Sequence, residues 1–213
     1  MDTARGTREG DSYGLSDPTA HSGALFSDVP RGDTSEAMLL KIAIGLGVAL
    51  VLFLVYVAMQ PGPFAISRSI EISAPPEKIF PLIEDFHEWA KWSPYEKLDP
   101  NMTKTFSGAP KGPGAVYEWD GNGKAGKGKM ELTSAETNRH VSIKLDFSAP
   151  MKATNFSDFT IEPNGATSTV TWSMKGNNGF AGKLFATIVN MDKLLGGDFE
   201  KGLALMKAQA EAH

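Results

Sequence analysis

Few residues in this chain have the type and spacing to do chemistry. Gly121-Asn-Gly-Lys-Ala-Gly-Lys-Gly128 fits the G-x-x-x-x-G-K pattern of a phosphate-cradling loop. Such a loop needs a Ser or Thr next, a strand before it and a helix after it, so that backbone N–H groups meet the phosphates. Here Gly128 follows, and Met130-Glu-Leu-Thr133 continues as a strand, so the segment reads as a β-hairpin. Its lysines offer positive charge to acidic lipid headgroups if the domain lies on a membrane. The four histidines, His21, His87, His140 and His213, include no pair at helical ligand spacing, and there is no cysteine. A thiolate nucleophile, a disulfide framework and a Cys-type zinc site are thereby excluded, and no metal site or cofactor is expected. His87, beside Glu84, Asp85 and Glu88, is the one cluster with acid–base potential. On a short amphipathic helix such charges form the solvated face. Glu118 alternates with Tyr117 and Trp119 and so points away from them. Asp146 and Asp158 lie on strands, with Asp146 opposite in parity to Phe147. No Ser-His-acid arrangement follows from spacing, and no catalytic residue is assigned.

The elements that position these residues begin with an apolar run, Ala37 to Met59, whose one charge is Lys41. The uncharged part, Ile42 to Met59, spans roughly 27 Å as a helix, close to the hydrocarbon thickness of a bilayer. Lys41 can snorkel at one end, Tyr56 suits the other interface, and Gln60-Pro61-Gly62-Pro63 stops the helix. A core helix of this size would carry a polar face. A cleaved signal peptide would start nearer the N-terminus, with a shorter apolar region and an A-x-A site. The run therefore reads as an uncleaved single-pass transmembrane helix over 37–59. The nearest flanking charge, Lys41, places the tail inside and the domain outside, as at a bacterial inner membrane.

Charge is spread unevenly. Residues 1–36 hold Asp2, Glu9, Asp11, Asp17, Asp28, Asp33 and Glu36 against Arg5, Arg8 and Arg31. This acidic, Gly- and Ser-rich tail cannot bury enough apolar surface to offset its ordering entropy and is expected to be disordered. Beyond a linker at 60–63 the charges nearly balance, so no basic field exists for nucleic acid.

From Phe64 the pattern is that of a folded domain ending near Glu211. Phe64, Ile66, Ile70 and Ile72 alternate on a half-buried strand. Pro75-Pro76 with Glu77 starts a helix, whose apolar face is Ile79, Phe80, Leu82, Ile83 and Phe86, with Pro81 inside it. A second helical piece covers His87 to Trp92. Five strands follow: Ala115–Trp119, Gly126–Ala135, His140–Phe147, Asn155–Glu162 and Ala166–Met174, separated by Gly- and Asn-rich turns. Val170, Trp172 and Met174 share a face of the last. Leu184, Ile188, Met191, Leu195, Phe199, Leu203 and Met206 then form one apolar stripe on a long helix, which Gly196-Gly197 is expected to bend. A long amphipathic helix on a one-sided antiparallel sheet is an α+β domain.

Several strings carry a resemblance: Ile72-Ser-Ala-Pro-Pro-Glu-Lys-Ile-Phe80, Trp89-Ala-Lys-Trp-Ser-Pro94, Gly114-Ala-Val-Tyr-Glu-Trp-Asp-Gly121, Val170-Thr-Trp172 and Leu195-Gly-Gly-Asp-Phe-Glu-Lys-Gly-Leu203. With the element order, they resemble the START-like (SRPBCC) superfamily, in its polyketide cyclase/dehydrase and lipid-transport branch, over Phe64 to Glu211. The resemblance implies a helix-grip fold with a cavity between sheet and C-terminal helix. It implies an apolar pocket walled by Tyr117, Trp119, Ile143, Leu145 and Trp172 from the strands and by Leu184, Ile188 and Met191 from the helix. Most of the remaining aromatics, such as Trp89, Trp92, Phe159 and Phe185, are expected to pack the core. Three functions follow from different classes. One is a membrane-tethered domain binding a lipid, quinone or similar apolar molecule at the bilayer. Another is an accessory subunit of a membrane complex, contacted through tail and span. The third is a cyclase-like enzyme, which rests on the family alone.

Overall fold

The computed structural model describes residues 34–212. The tail read over 1–36 falls mostly outside them, as do His21 and His213. Helix α1, Thr34–Met59, begins three residues earlier than the apolar run, with Glu36 in its first turn where the helix dipole favours a negative charge. It is long and apolar enough to cross a membrane by length and composition. Apart from the buried Val57, its large side chains, Leu39, Leu46, Leu50 and Leu52 among them, are exposed. At its other end the carbonyl of Ala58, one of the last four that a helix leaves unpaired, accepts from Lys183 Nζ at 3.0 Å.

Seven antiparallel strands form one sheet in the order β1-β7-β6-β5-β4-β3-β2. They are β1 Pro63–Ile72, β2 Thr103–Gly108, β3 Ala115–Asp120, β4 Lys127–Glu136, β5 His140–Ala149, β6 Ala153–Asn164 and β7 Thr167–Asn177. Strands β2 to β7 follow one another as a meander, and β1 closes onto β7, with Ile70 opposite Val170. Alternation behaves as the pattern predicts. Val141, Ile143 and Leu145 on β5, Phe159 and Ile161 on β6, and Val170, Trp172 and Met174 on β7 are all buried on one face. Strand β2 is the element that periodicity does not reveal. It is an edge strand with every residue exposed, so its sequence carries no alternation to read. Its one packing residue, Phe106, stacks on Tyr117 at 4.9 Å.

Between β1 and β2 lie helix α2, Pro76–Glu84, and 3₁₀ turns at Phe86–Lys91 and Pro94–Lys97. Helix α2 buries Ile79, Phe80, Leu82 and Ile83. Its final carbonyls are not left orphaned. Trp92 Nε1 donates to Leu82 O at 2.7 Å and Trp89 Nε1 to Ile83 O at 3.1 Å. Each indole thus fills the core with its ring and caps the helix with its N–H.

The C-terminal stripe is not one helix bent at Gly196-Gly197. It breaks earlier, into α3, Phe180–Ile188, and α4, Met191–Glu211. Val189 and Asn190 are extended, and the Asn190 side chain caps α4 by accepting from Lys193 N at 2.9 Å. Asn prefers the cap to a helix interior because its side chain replaces the missing backbone acceptor. The diglycine is carried within α4 without ending it.

Helix α4 packs on the sheet through Phe199, Leu203 and Met206, all buried. The Phe199 ring lies on Trp172 at a centroid distance of 4.1 Å and an interplanar angle of 10°. Trp172 stacks in turn on Phe159 at 5.0 Å and donates to Ser157 Oγ at 2.8 Å. One turn on, Gly202 makes the approach possible. A Cβ there would sit 2.7 Å from Trp172 Cζ3 and 3.1 Å from Pro94 Cδ. Trp172→Ala is expected to destabilise the domain by about 3–5 kcal/mol through lost transfer energy and the cavity left behind. Urea unfolding followed by circular dichroism checks this. A midpoint unchanged at unchanged slope would mean that the stack contributes nothing.

Candidate functional site

Phe199, Gly202 and Leu203 hold the middle of α4 against the sheet, whereas its first turn is less buried. Beneath that turn is a cavity of about 470 Å³, within the roughly 300–1,000 Å³ typical of small-molecule pockets. Trp172 and Met174 from β7, Leu145 and Phe147 from β5, and Tyr117 and Trp119 from β3 form its floor and sides. Met191, Leu194 and Leu195 close it from α4, and Tyr95, Glu96 and Leu98 from the second 3₁₀ turn and the residue after it.

Of the eight residues implied as ligand contacts, Tyr117, Trp119, Leu145, Trp172 and Met191 line this space. The other three do not. Ile143 is fully buried in the core, two residues along β5 from the cavity. Leu184 and Ile188 are on α3, separated from α4 by the break at Asn190, and Ile188 is 73% exposed. The stripe that joins them to Met191 in a continuous helix does not exist once the chain turns at Val189-Asn190. Phe185, expected in the core, is exposed for the same reason. Sequence reading counts Tyr95 among the aromatics without assigning it to the cavity and misses Glu96 and Leu98; the 3₁₀ turn Pro94–Lys97 and the residue after it carry no periodic signal, and Ser93-Pro94 shows only as a stop.

The glycine-rich segment 121–128 is a hairpin turn leading into β4, as its continuation as a strand requires. Asn122 organises it, accepting from Lys124 N at 2.8 Å and Ala125 N at 3.2 Å. Its last glycine serves packing. A Cβ on Gly128 would lie 2.6 Å from the Trp119 ring, so only glycine lets that indole lie across β4 and donate to Ala125 O at 3.1 Å.

The polar groups of the wall are mostly paired. Tyr117 donates to Glu96 Oε1 at 2.8 Å, and the other oxygen of Glu96 pairs with Lys104. Burial, then the bond to Glu96, hold the Tyr117 phenol well above its ordinary range. Ser157 accepts from Trp172 and donates to Ser173 O at 3.2 Å. The acidic cluster around His87 lies elsewhere, and each of its carboxylates has a side-chain partner. Glu84 binds Lys111 at 2.8 Å, Asp85 binds His87 Nδ1 at 2.7 Å, and Glu88 pairs with Lys91. His87 stacks on Phe106 at 4.3 Å. Asp146 and Asp158 face away from the cavity, bonded to Thr154 and Ser142 respectively. No group of three or more His, Cys, Asp or Glu suited to a metal ion occurs among the described residues.

Arg68 on β1 anchors the first turn of α4, the roof of the cavity. Its guanidinium takes both carboxylate oxygens of Asp192 at 3.0 and 2.9 Å, and Glu200 Oε1 at 2.7 Å. The hydrogen bond from Arg68 holds the Asp192 carboxyl below its usual range. A depressed carboxylate contributes stability above its unfolded pKa, about 3.9, and loses it as pH falls through the lower folded value. Arg68→Ala is therefore expected to speed hydrogen exchange of amides in 191–196 at neutral pH. The difference from the parent should shrink on acidification below about pH 4. Equal exchange at neutral pH would show that packing alone holds the roof.

A long helix gripped by an antiparallel sheet, with an apolar cavity between them, defines the helix-grip class. Residues 63–211 match the family described as polyketide cyclase/dehydrase and lipid transport, and the chain belongs to that family. Solved structures share the fold. Protein CV1439 from Chromobacterium violaceum is 14% identical, with a TM-score of 0.51 over 69% of this chain and 96% of that one. XoxI from Bacillus cereus is 20% identical, with a TM-score of 0.51 over 68% and 93%. Protein jhp0584 from Helicobacter pylori is 11% identical, with a TM-score of 0.54 over 69% and 88%. At these identities the likeness is one of fold, and no site residue carries over from it. No protein of curated function matches the chain.

Proposed function

We propose that this chain is a membrane-tethered binding domain for a hydrophobic small molecule, held between the sheet and the first turn of α4. The observation that carries the reading is the cavity of about 470 Å³ with aromatic, Leu and Met walls. It occurs in a family whose description includes lipid transport. An apolar chain or ring entering it would leave water for surfaces that already lack it, the main driving force for such binding. Tethering is supported by α1, whose large apolar side chains other than Val57 are exposed and which has no polar face to turn toward water. It is supported also by α3, which exposes Phe180, Phe185 and Ile188 and bonds through Lys183 to the last turn of α1. A bilayer would cover both, and would keep the cavity where apolar ligands partition.

Organic extraction of the gently solubilised full-length protein, followed by mass spectrometry, is expected to recover an apolar molecule. Met191→Trp places an indole in the cavity and should remove most of that molecule while leaving the far-UV circular dichroism unchanged. Wild-type protein that carries nothing, and gains no thermal stability from decylubiquinone, palmitate or geranylgeraniol, would move the assignment to an accessory subunit of a membrane complex. A chain beginning at Gly62 is expected in the soluble fraction after cell lysis. Its recovery with membranes would remove α1 as the tether.

A further inference from the structure

The two ends of the sheet differ in chemistry. Pro63, where the chain enters β1 soon after leaving α1, pairs with Asn177 at the end of β7. The turn between β5 and β6, Pro150 to Lys152, lies at that same end, since Phe147 pairs with Ala153 and Asn155 with Gly176. The hairpin at 121–126 lies there too, since Lys127 pairs with Ala149. Asn178 N, just before α3, donates to Gly62 O at 2.8 Å, so α3 also begins where α1 leaves off. Helix α4 runs away from this end. At its finish Lys207 Nζ donates to Glu71 O at 2.7 Å, and Glu211 Oε1 accepts from Ser73 N at 2.6 Å.

The end beside α1 collects exposed apolar groups and cations. Helix α3 buries none of its side chains and exposes Phe180, Phe185 and Ile188. Its one charge, Lys183, is spent on Ala58 O. Met151 and Leu194 are exposed and also line the cavity, so they stand at its rim. A helix apolar on its open side is unfavourable in water, and such a patch marks a contact surface. Around it lie Lys124, Lys152 and Lys193, exposed and with no carboxylate partner among the described residues. The acids Asp120 and Asp192 at this end are already paired, with Lys127 and Arg68. The far end is the reverse. Glu71 and Glu162, both opposite Thr169, and Glu136, opposite His140, are exposed there with Arg139.

We propose that this end of the domain docks on the surface of the bilayer that α1 enters. Helix α3 lies along that surface with Phe180, Phe185 and Ile188 below the headgroups, and Lys124, Lys152 and Lys193 meet anionic lipid phosphates. This rests on the tether reading above and adds an orientation to it. The domain is held against the membrane, its acidic end outward, and does not swing on the linker at 60–63. Continuity with the span names the occupant: α3 is bonded to the last turn of α1, so the lipid around that turn reaches α3. The contact depends on the tether. A nine-residue helix and three lysines alone give weak, salt-sensitive attachment, which the span strengthens by making it intramolecular.

The test uses the full-length chain, whose lack of cysteine lets a single introduced thiol carry a polarity-sensitive fluorophore. The protein is placed in nanodiscs of phosphatidylcholine and phosphatidylglycerol containing lipid with a nitroxide near the headgroup end of its chain. Labels at Ile188→Cys and Met151→Cys are expected to lose emission to the nitroxide as strongly as a label at Tyr56→Cys, the reference within α1. A label at Thr137→Cys, in the turn at the far end, should keep its emission. Reversing Lys124, Lys152 and Lys193 to Glu should restore most of the Ile188 emission and leave that at Tyr56 quenched. Full emission at Ile188 with Tyr56 quenched would overturn the docking and leave the span intact; a blue-shifted but unquenched Ile188 label would overturn it in favour of a protein cover. Equal quenching at Thr137, or no effect of the charge reversal, would overturn the orientation proposed. Full emission at Tyr56 would overturn the tether reading, and the docking with it.

Discussion

The contact between Phe199 and Trp172 sets the spacing on which the rest of the domain depends. Two rings nearly parallel at 4.1 Å require helix and sheet to meet closely at that point, and Gly202 removes the one Cβ that would hold them apart. Trp172 is fixed from behind by Phe159 and by its bond to Ser157, so it cannot yield to the helix. Close approach at the middle of α4 has a consequence at its start. The start of α4, carrying Met191, Leu194 and Leu195, is less buried and roofs the cavity that remains beneath it. Packing and pocket are thus two results of one contact, which is why the floor residue Trp172 belongs to both.

A cavity of that kind is maintained against collapse by its rim. Arg68 ties Asp192 and Glu200 of α4 to β1. On the other side Glu96, Tyr117 and Lys104 link the second 3₁₀ turn to β3 and β2. The first network joins elements far apart in the chain and the second joins neighbouring ones, and each is paired internally, so it resists closure without placing an uncompensated charge in apolar surroundings. The tryptophans work similarly at α2, where Trp89 and Trp92 terminate the helix and fill the core with the same side chains. Tyr95 is the exception to this economy: its buried hydroxyl has no hydrogen-bond partner among the described residues.

Periodicity determined much of this protein before any coordinates. The parity of β5, β6 and β7 and the α+β class follow from two spacings, 2.0 and 3.6 residues, because burial on one face imposes them, while α1 is legible as an unbroken apolar run. Trp172 was legible as inward for that reason, and Glu118 as pointing away from Tyr117 and Trp119. The hairpin at 121–128 was legible because a strand pattern resumes where a phosphate loop needs a helix.

The tertiary structure decided what periodicity does not encode. Strand β2 buries no face, so nothing in Thr103–Gly108 marks it as a strand; it forms because β3 offers it an edge. The apolar stripe from Leu184 to Met206 keeps a helical spacing straight across Asn190, yet the Asn side chain caps a new helix there. Leu184 and Ile188 are thereby carried out of the cavity that Met191 lines. A hydrophobic pattern records which side chains avoid water, but not which of two apolar environments each enters. That is settled by where the backbone breaks, and so also for the unpaired Tyr95, whose sequence neighbourhood is only a proline stop and a turn.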